Sequence, residues 1–348
     1  MKNAETISRT LSWLAEPLIV GNVVLPNRIL GAPMSGVSDY PYRSRVILHG
    51  AAASVAEMTP AARLIGGQRH TPQRRAAPKG AVNIVQLAGR DPVALAYAAE
   101  VCAAEGADII DINFGCPAKK VTGGYAGSAL MREPDLAARL VEVTVKSVGV
   151  PVTVKMRLGW EKAHHNAAEI ARLAVEAGAQ MITVHGRTRC QFYKGEANWN
   201  AIAAVRNVVK VPLVVNGDII SVETAIAALE QSGADAVMIG RGCYGSPWLP
   251  GQIACAAGDV SAAKHIPHTA SEIASYVISH HEETVALYGF EQGIRHARKH
   301  LGWYLDKFAP FTDAALRSEI LTSLEVAAIH RALRFAFADT QPAWVAAA

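Results

Sequence analysis

Residues 108–128 read Asp-Ile-Ile-Asp-Ile-Asn-Phe-Gly-Cys-Pro-Ala-Lys-Lys-Val-Thr-Gly-Gly-Tyr-Ala-Gly-Ser, and Cys116 is the residue in them best suited to chemistry. A thiol has an ordinary pKa of about 8.5, so near neutrality it can keep a proton and give it up, or ionise and attack. A lone Cys is as readily a small buried hydrophobe, so its place in the chain decides. The Ile run from Asp108 to Asn113, broken by carboxylates, has the pattern of a buried parallel strand nearing its functional end. Gly115, Cys116 and Pro117 stop that strand, and Gly123, Gly124 and Gly127 form a flexible loop behind it. The thiol is thus expected at a strand end beside Asn113, Lys119 and Lys120, where α/β enzymes keep their reactive groups.

Seven other segments repeat the strand-then-helix pattern. Strands are predicted at about 28–34, 53–57, 82–87, 108–113, 150–157, 181–186, 211–218 and 236–240. Helices follow at about 41–49, 91–106, 133–147, 165–176, 199–208 and 221–231, with a short one near Pro247. Ser38 or Asp39 would cap the first, and Asp91-Pro92 opens the second. An internal repeat supports the alternation. Gly106-Ala107-Asp108, Gly178-Ala179-Gln180 and Gly233-Ala234-Asp235 each close a helix and open a strand. Eight such units in about 250 residues predict a closed (β/α)8 TIM barrel. An open doubly wound sheet is less consistent, because no Gly-x-Gly-x-x-Gly follows the first strand. A hairpin turning at Gly21-Asn22 precedes the first strand and is expected to plug the barrel floor.

In such a barrel the strand C-termini face one pit. Pro33-Met34, Glu57, Gln86, Asn113, Lys155 with Arg157, His185, Asn216-Gly217-Asp218 and Gly240-Arg241 all arrive there, with Cys116 above them. Burying so many polar groups unpaired would cost a few kcal/mol each, roughly, so the pit is built for a polar ligand. Gly217 and Gly240 end the last two strands, where a phosphate commonly binds, and Arg241 adds charge. Lys155, with Arg157 on the same barrel face, suits either a Schiff base or a cation beside a flavin ring. No metal is expected, because His164-His165 and His280-His281 are adjacent pairs and no Cys-x-x-Cys is present.

A chain of 348 residues exceeds one barrel, and its composition changes after Ala257. Residues 1–257 are therefore read as the barrel domain and 258–348 as a small helical bundle, with helices at about 271–287, 291–307, 313–322 and 324–338. No apolar run is long enough for a membrane span, and Met1 to Pro17 does not resemble a signal peptide. Five unpaired-looking cysteines point to reduced thiols in a cytoplasmic protein. A net charge of +4 allows a nucleic-acid partner without requiring one.

These residues resemble the tRNA-dihydrouridine synthases, and among them the bacterial B branch. The resemblance is carried by Ala32-Pro-Met-Ser-Gly-Val-Ser-Asp39, Val85-Gln-Leu-Ala-Gly89, Asp111-Ile-Asn-Phe-Gly-Cys-Pro-Ala-Lys-Lys-Val121, Ala126-Gly-Ser-Ala-Leu130, Val154-Lys-Met-Arg157, Val184-His-Gly-Arg-Thr188, Asn216-Gly-Asp218, Ile239-Gly-Arg241 and Arg298-Lys-His-Leu-Gly-Trp-Tyr304. The family reduces the C5=C6 bond of a tRNA uridine with FMN and NADPH. The resemblance implies that Cys116 is the general acid at C5 while reduced flavin gives hydride to C6. It places Pro33, Met34, Gln86, Lys155, His185, Asn216, Gly217, Asp218, Gly240 and Arg241 around FMN, with Lys155 and His185 balancing the reduced ring. Asn113 and Arg157 would hold the uracil edge of a base flipped from the tRNA.

The same resemblance gives the basic segments a use. Lys119, Lys120, Arg187 and Arg189 would lie on loops at the mouth, and Arg295, Arg298 and Lys299 on one helical face would contact phosphate. Residues 61–80 carry Arg63, Arg69, Arg74, Arg75 and Lys79 without an acid and read as a solvated surface segment, with RNA binding a hypothesis. No membrane and no stable protein partner are implied. Three other readings share parts of this pattern: a flavin barrel acting on a free pyrimidine or dihydroorotate, a Schiff-base lyase using Lys155, and a non-catalytic RNA-binding protein.

Overall fold

The computed structural model describes residues 4–66, 75–124, 126–338 and 340. One sheet contains β1 (Ile29–Gly31), β2 in two pieces (Ala53–Ser54 and Thr59–Pro60), β3 (Ile84–Ala88), β4 (Ile109–Phe114), β5 (Val152–Arg157), β6 (Ile182–His185), β7 (Leu213–Asn216) and β8 (Ala236–Ile239). All neighbours are parallel, and the first piece of β2 pairs with β1 while the second pairs with β3. The partner changes between adjacent residues: the Val55 amide donates to Gly31 O at 3.0 Å and the Ala56 amide to Ile84 O at 3.0 Å. The sheet therefore closes through one strand, and the predicted eight-stranded TIM barrel is the fold. β2 reaches Pro60 rather than ending at residue 57, because it must serve two neighbours in turn.

The connecting helices begin and end where their sequence signals stand. Asp39 accepts from the Tyr42 amide at 3.0 Å to start Tyr40–Leu48, and Asp91 accepts from Ala94 at 2.7 Å to start Pro92–Ala104. The repeated glycines have φ of +94° at Gly106, +105° at Gly178 and +63° at Gly233, values a β-carbon would strain. Three elements differ from expectation. A helix, Ala4–Ala15, lies N-terminal to the barrel. The predicted 165–176 helix begins only at Ala167, because Gly159–Glu161 and His164–His165 form a hairpin so tight that a β-carbon on Gly159 would lie 2.0 Å from His164 O. The predicted 199–208 helix is a 3-10 turn, Asn200–Ile202, with a single α turn, Ala203–Arg206.

The hairpin of Leu18–Val20 and Val23–Leu25 turns at Gly21 and does plug the floor: Leu18, Val20 and Leu25 pack with Ile84, Ile109, Met181, Val214 and Ala236 at the strand starts. C-terminal to the barrel stand the helices Ala270–Tyr288, Phe290–Phe308, Ala314–Thr322 and Val326–Ala336. Their own core, including Ile273, Leu301, Tyr304 and Leu333, takes in Trp248 from the barrel's last loop. Arg45 donates to Glu283 at 3.0 Å and Tyr276 meets His49 at 2.8 Å, joining these helices to the barrel. Among the described residues no helix is long and apolar enough to cross a membrane.

The basic stretch 61–80 is not uniformly solvated. Arg75 is buried and ion-paired with Glu105, so the reading of it as a surface cation is corrected. Arg69 and Arg74 lie outside the described residues.

Candidate active site

Cys116 follows β4 and is pinned from three sides. Asn113 Oδ1 accepts from the amides of Gly115 at 3.0 Å and Cys116 at 2.8 Å, closing a tight side-chain turn. Arg157 Nε donates to Gly115 O at 2.7 Å. Ser128 donates to Cys116 O twice, through its hydroxyl at 2.8 Å and its amide at 3.1 Å. Ser128 can approach because Gly127 has φ +61° and no β-carbon, which would lie 2.9 Å from Cys116 O. Burial pushes the thiol up from its ordinary value, opposed by the Ala118 amide and by Arg157 and Lys155. The thiol is therefore protonated at neutral pH.

Beneath the turn runs a buried polar chain. Asn113 Nδ2 donates to Gln86 Oε1 at 2.7 Å, Gln86 Nε2 donates to Asp111 Oδ2 at 2.7 Å, and Thr153 donates to Asp111 Oδ1 at 2.7 Å. Strand register makes this possible, since Gln86 pairs with Asp111 and Asp111 with Thr153 across β3, β4 and β5. Burial raises the Asp111 carboxyl's pKa, against the two hydrogen bonds and Lys155.

Across the pit stands a group of cations. Lys155 Nζ donates to Asn216 Oδ1 at 3.1 Å, and Asn216 is itself fixed by donating to Met238 O at 2.7 Å. Burial, then Arg157, push Lys155 down to about 8. His185 is held well below its usual value by burial and by Arg157, Lys155, Arg187 and Arg241, so its imidazole is neutral. Asp218 leaves the β7 turn at φ +53°, after Gly217 at φ +113°, and pairs with Arg187 at 2.6 Å. A β-carbon on Gly217 would lie 2.8 Å from His185 Cδ2, so the glycine lets the imidazole sit against the turn. Met34 Sδ lies 3.5 Å from where a Gly240 β-carbon would be, bringing the Pro33-Met34 loop against the end of β8.

Lys155 is a partly buried ammonium that, among the described residues, donates one hydrogen bond, to a neutral amide. Arg241 is partly exposed, 3.6 Å from Asp218 and 5.0 Å over the Tyr193 ring. Asp218 is already committed to Arg187, so positive charge is in excess at this end of the pit. That donor set fits an anionic cofactor bearing a phosphate.

The structure thus brings together Pro33, Met34, Gln86, Asn113, Cys116, Lys155, Arg157, His185, Asn216, Gly217, Asp218, Gly240 and Arg241. Several roles need correction. Arg187 is not a mouth cation: it is buried, with its guanidinium on Asp218, Gly195 O and His185. Arg157 spends its Nε and Nη1 on Gly115, Thr188 and Phe192 carbonyls, and Asn113 spends both ends of its amide within the protein. Both brace the cysteine turn. Lys119 is exposed, on the short Lys119–Thr122 helix rather than on a loop. Arg295, Arg298 and Lys299 do not share one free face. Arg295 is exposed, 3.8 Å from Glu291; Arg298 donates to Thr322 O at 2.8 Å; Lys299 is half-buried, facing Asp39 and Glu57.

The sequence reading missed Ser128, Thr153 and Tyr193, and assigned Asp111 no role. Asp111 left a signal, a carboxylate inside an Ile strand. Tyr193 left only an aromatic in a loop, yet Arg157 and Arg241 approach its ring at 5.5 and 5.0 Å. Among the described residues no three His, Cys, Asp or Glu side chains gather as a metal site.

A closed barrel with a protonated thiol and a cation-rich pit at its strand ends defines a TIM-barrel enzyme with an anion-binding centre. The dihydrouridine synthase family model matches residues 30–334, and the chain belongs to that family. It is 50% identical over 297 residues to a probable tRNA-dihydrouridine synthase of Rhizobium leguminosarum bv. phaseoli, covering 85% of this chain and 91% of that one. It is 43% identical to the tRNA-dihydrouridine synthase B of Pseudomonas aeruginosa, covering 82% and 86%. Among solved structures, a 6-hydroxypseudooxynicotine amine oxidase from Pseudomonas geniculata N1 matches with TM-score 0.56 at 15% identity, over 77% of this chain and 53% of that one, which supports the barrel fold alone.

Proposed function

We propose that this tRNA-dihydrouridine synthase uses FMN and NADPH, and that Cys116 is the proton donor. A flavin bound in the pit would supply hydride chemistry for C6 of the uridine, with NADPH as its reductant. Lys155, His185, Asn216 and Arg241, with the backbone at Gly217 and Gly240, hold the flavin. The lysine ammonium balances its negative charge, and the neutral imidazole contributes hydrogen bonding rather than charge. Cys116 Sγ gives its proton to C5, and solvent returns one. A thiol suits this step because it is protonated at rest yet acidic enough to yield. The observation that carries the assignment is the cysteine turn, fixed by Asn113, Arg157 and Ser128 at the mouth of the cation-rich pit.

In this reading residues 1–257 are the catalytic domain and 258–348 the tRNA-binding domain, acting in the cytoplasm on tRNA. Lys119 and Arg295 are exposed cations that would meet phosphate. The test is incubation of the purified protein, FMN and NADPH with tRNA lacking dihydrouridine, read by nucleoside mass spectrometry beside Cys116→Ala. Product from the wild type and little from the variant is expected. Equal product from both would remove Cys116 from its role. Reduction of free uracil with tRNA untouched would overturn the substrate.

A further inference from the structure

The hydrogen bonds beneath Cys116 have a direction, and it can be traced without choosing how any amide is oriented. The Gly115 and Cys116 amides can only donate, so Asn113 must turn its oxygen to them, at 3.0 and 2.8 Å. Its Nδ2 then faces Gln86, 2.7 Å away, which must present Oε1. Gln86 Nε2 is left facing residue 111 at 2.7 Å, and only an acceptor satisfies it. Asp111 supplies that acceptor, and Thr153 locks it by donating to its second oxygen at 2.7 Å. Gln86 and Asp111 are almost wholly buried, so water does not replace a lost link. A buried polar group left unpaired is costly enough to select one orientation at each step.

We propose that Asp111 is a positioning residue for Cys116: through Gln86 and Asn113 its acceptor oxygen fixes the turn that presents the thiol. The catalytic consequence rests on Cys116 being the proton donor; the structural one does not. Asp111 touches neither the thiol nor, in this reading, the uridine. It acts by keeping Gln86 from turning over. Were Gln86 to do so, its Nε2 would face Asn113 Nδ2, donor against donor. Asn113 would turn in response, and the cysteine turn would lose both of its caps.

The discriminating pair is Asp111→Leu and Asp111→Asn. Leucine is close to aspartate in shape but offers no acceptor. Asparagine keeps an oxygen for Gln86 while its amide faces the Thr153 hydroxyl, which can accept. The primary readout is alkylation of Cys116 by iodoacetamide, followed peptide by peptide in the flavin-loaded protein without tRNA. In Asp111→Leu the freed thiol should react at least about threefold faster, with its pH midpoint falling toward the ordinary value of about 8.5. Asp111→Asn should stay within about twofold of wild type, on the same argument that thiol exposure sets reactivity. Gln86→Met, which breaks the middle link, should behave as Asp111→Leu does and serves if that variant fails to fold.

In turnover with tRNA, Asp111→Leu should lose about tenfold or more in kcat with KM within about threefold, the pattern of misplaced chemistry rather than lost binding. Wild-type alkylation in both Asp111→Leu and Gln86→Met would overturn the relay. So would an Asp111→Asn protein as disturbed as Asp111→Leu, because charge near Lys155 would then be what matters. Absence of dihydrouridine from the wild type would overturn the function while leaving the alkylation result to decide the relay.

Discussion

Two regions bury ionisable groups, and they do so on opposite principles. In the pit, charges are kept: Asp218 lies against Arg187, Arg157 against three carbonyls, and Lys155 keeps its ammonium with one neutral partner. In the seam between barrel and helices, beside the Arg45–Glu283 ion pair, four imidazoles are held neutral. His49, His280, His281 and His300 are packed among Tyr276, Tyr304, Trp248, Tyr42 and His330, and burial pushes their pKa values down, to about 3 for His49 and His300 and about 4 for His281. The seam holds neutral imidazoles, with His49 Nδ1, His280 Nε2, His281 Nε2 and His300 Nε2 lacking a hydrogen-bond partner among the described residues, whereas the pit carries surplus positive charge. Burial alone therefore does not mark a functional group. What marks it is charge retained at a cost the protein does not itself offset.

The largest effect should separate the two regions outright. Cys116→Ala is expected to lower dihydrouridine formation by about 10²–10⁴-fold, the range for a lost general acid or base. Its melting temperature should stay close to wild type, since the turn is held by backbone groups and Asn113 rather than by the thiol. A variant that lost thermal stability in proportion to activity would erase the distinction. Nucleoside mass spectrometry beside differential scanning fluorimetry measures both.

Next in size is the acid response of the seam. These imidazoles titrate below their unfolded value of about 6.5, so the unfolded chain binds the extra protons. Their contribution is fully present above about pH 6.5 and is lost as pH falls toward 4 and 3. Urea unfolding between pH 7 and 5 should show stability falling with acid, and His300→Gln should flatten that slope by up to about 1.4 kcal/mol per pH unit. An unchanged slope would mean that the seam opens without exposing His300. Arg45, Lys299 and His296, the nearby cations, work in the same direction as burial.

Lys155 should give a stability change of the same sign at the alkaline end, but with activity moving against it. Its ammonium is needed beside an anionic cofactor, so turnover should fall in an alkaline limb lying above the value of about 8 set by burial and Arg157, because the cofactor's negative charge raises it again. Its folded pKa lies below the unfolded value of about 10.4, so stability should rise over the same interval, as the unfolded chain now holds the extra proton. Rate and stability moving in opposite directions above pH 8, and the rate limb disappearing in Lys155→Met, would sharpen the contrast with the seam. A parallel decline in both would break it.

The barrel was legible because its signals are local: Ile and Val runs for buried strands, Asp39 and Asp91 as caps, and glycines where φ is positive. The strand ends followed from the fold, so the pit residues could be named before their geometry was known. What each does was not legible. Arg187 and Arg295 are the same residue type in basic stretches, yet one is buried against Asp218 and the other is exposed. Asn113 pointed to a ligand edge, and only the distances show both ends of its amide occupied. Partners hundreds of residues apart, such as Arg45 and Glu283, leave no spacing to read.

The smallest effect tests whether the helices C-terminal to the barrel divide the same way. Arg295 is exposed and loosely paired, while Lys299, four residues on, is half-buried toward Asp39 and Glu57. A cation on phosphate releases about one counterion, so Arg295→Ala should reduce the salt slope of tRNA binding by about 0.7–0.9 and weaken affinity uniformly across tRNA sequences. Lys299→Ala should leave that slope unchanged, because its charge is spent on barrel carboxylates. Filter binding from 50 to 200 mM salt resolves the difference. If Lys299→Ala lowered the slope and Arg295→Ala did not, the lysine would have to exchange Asp39 and Glu57 for RNA on binding, and the loop carrying Gly36 would move with it, since Lys299 Nζ lies 3.6 Å from where a Gly36 β-carbon would be.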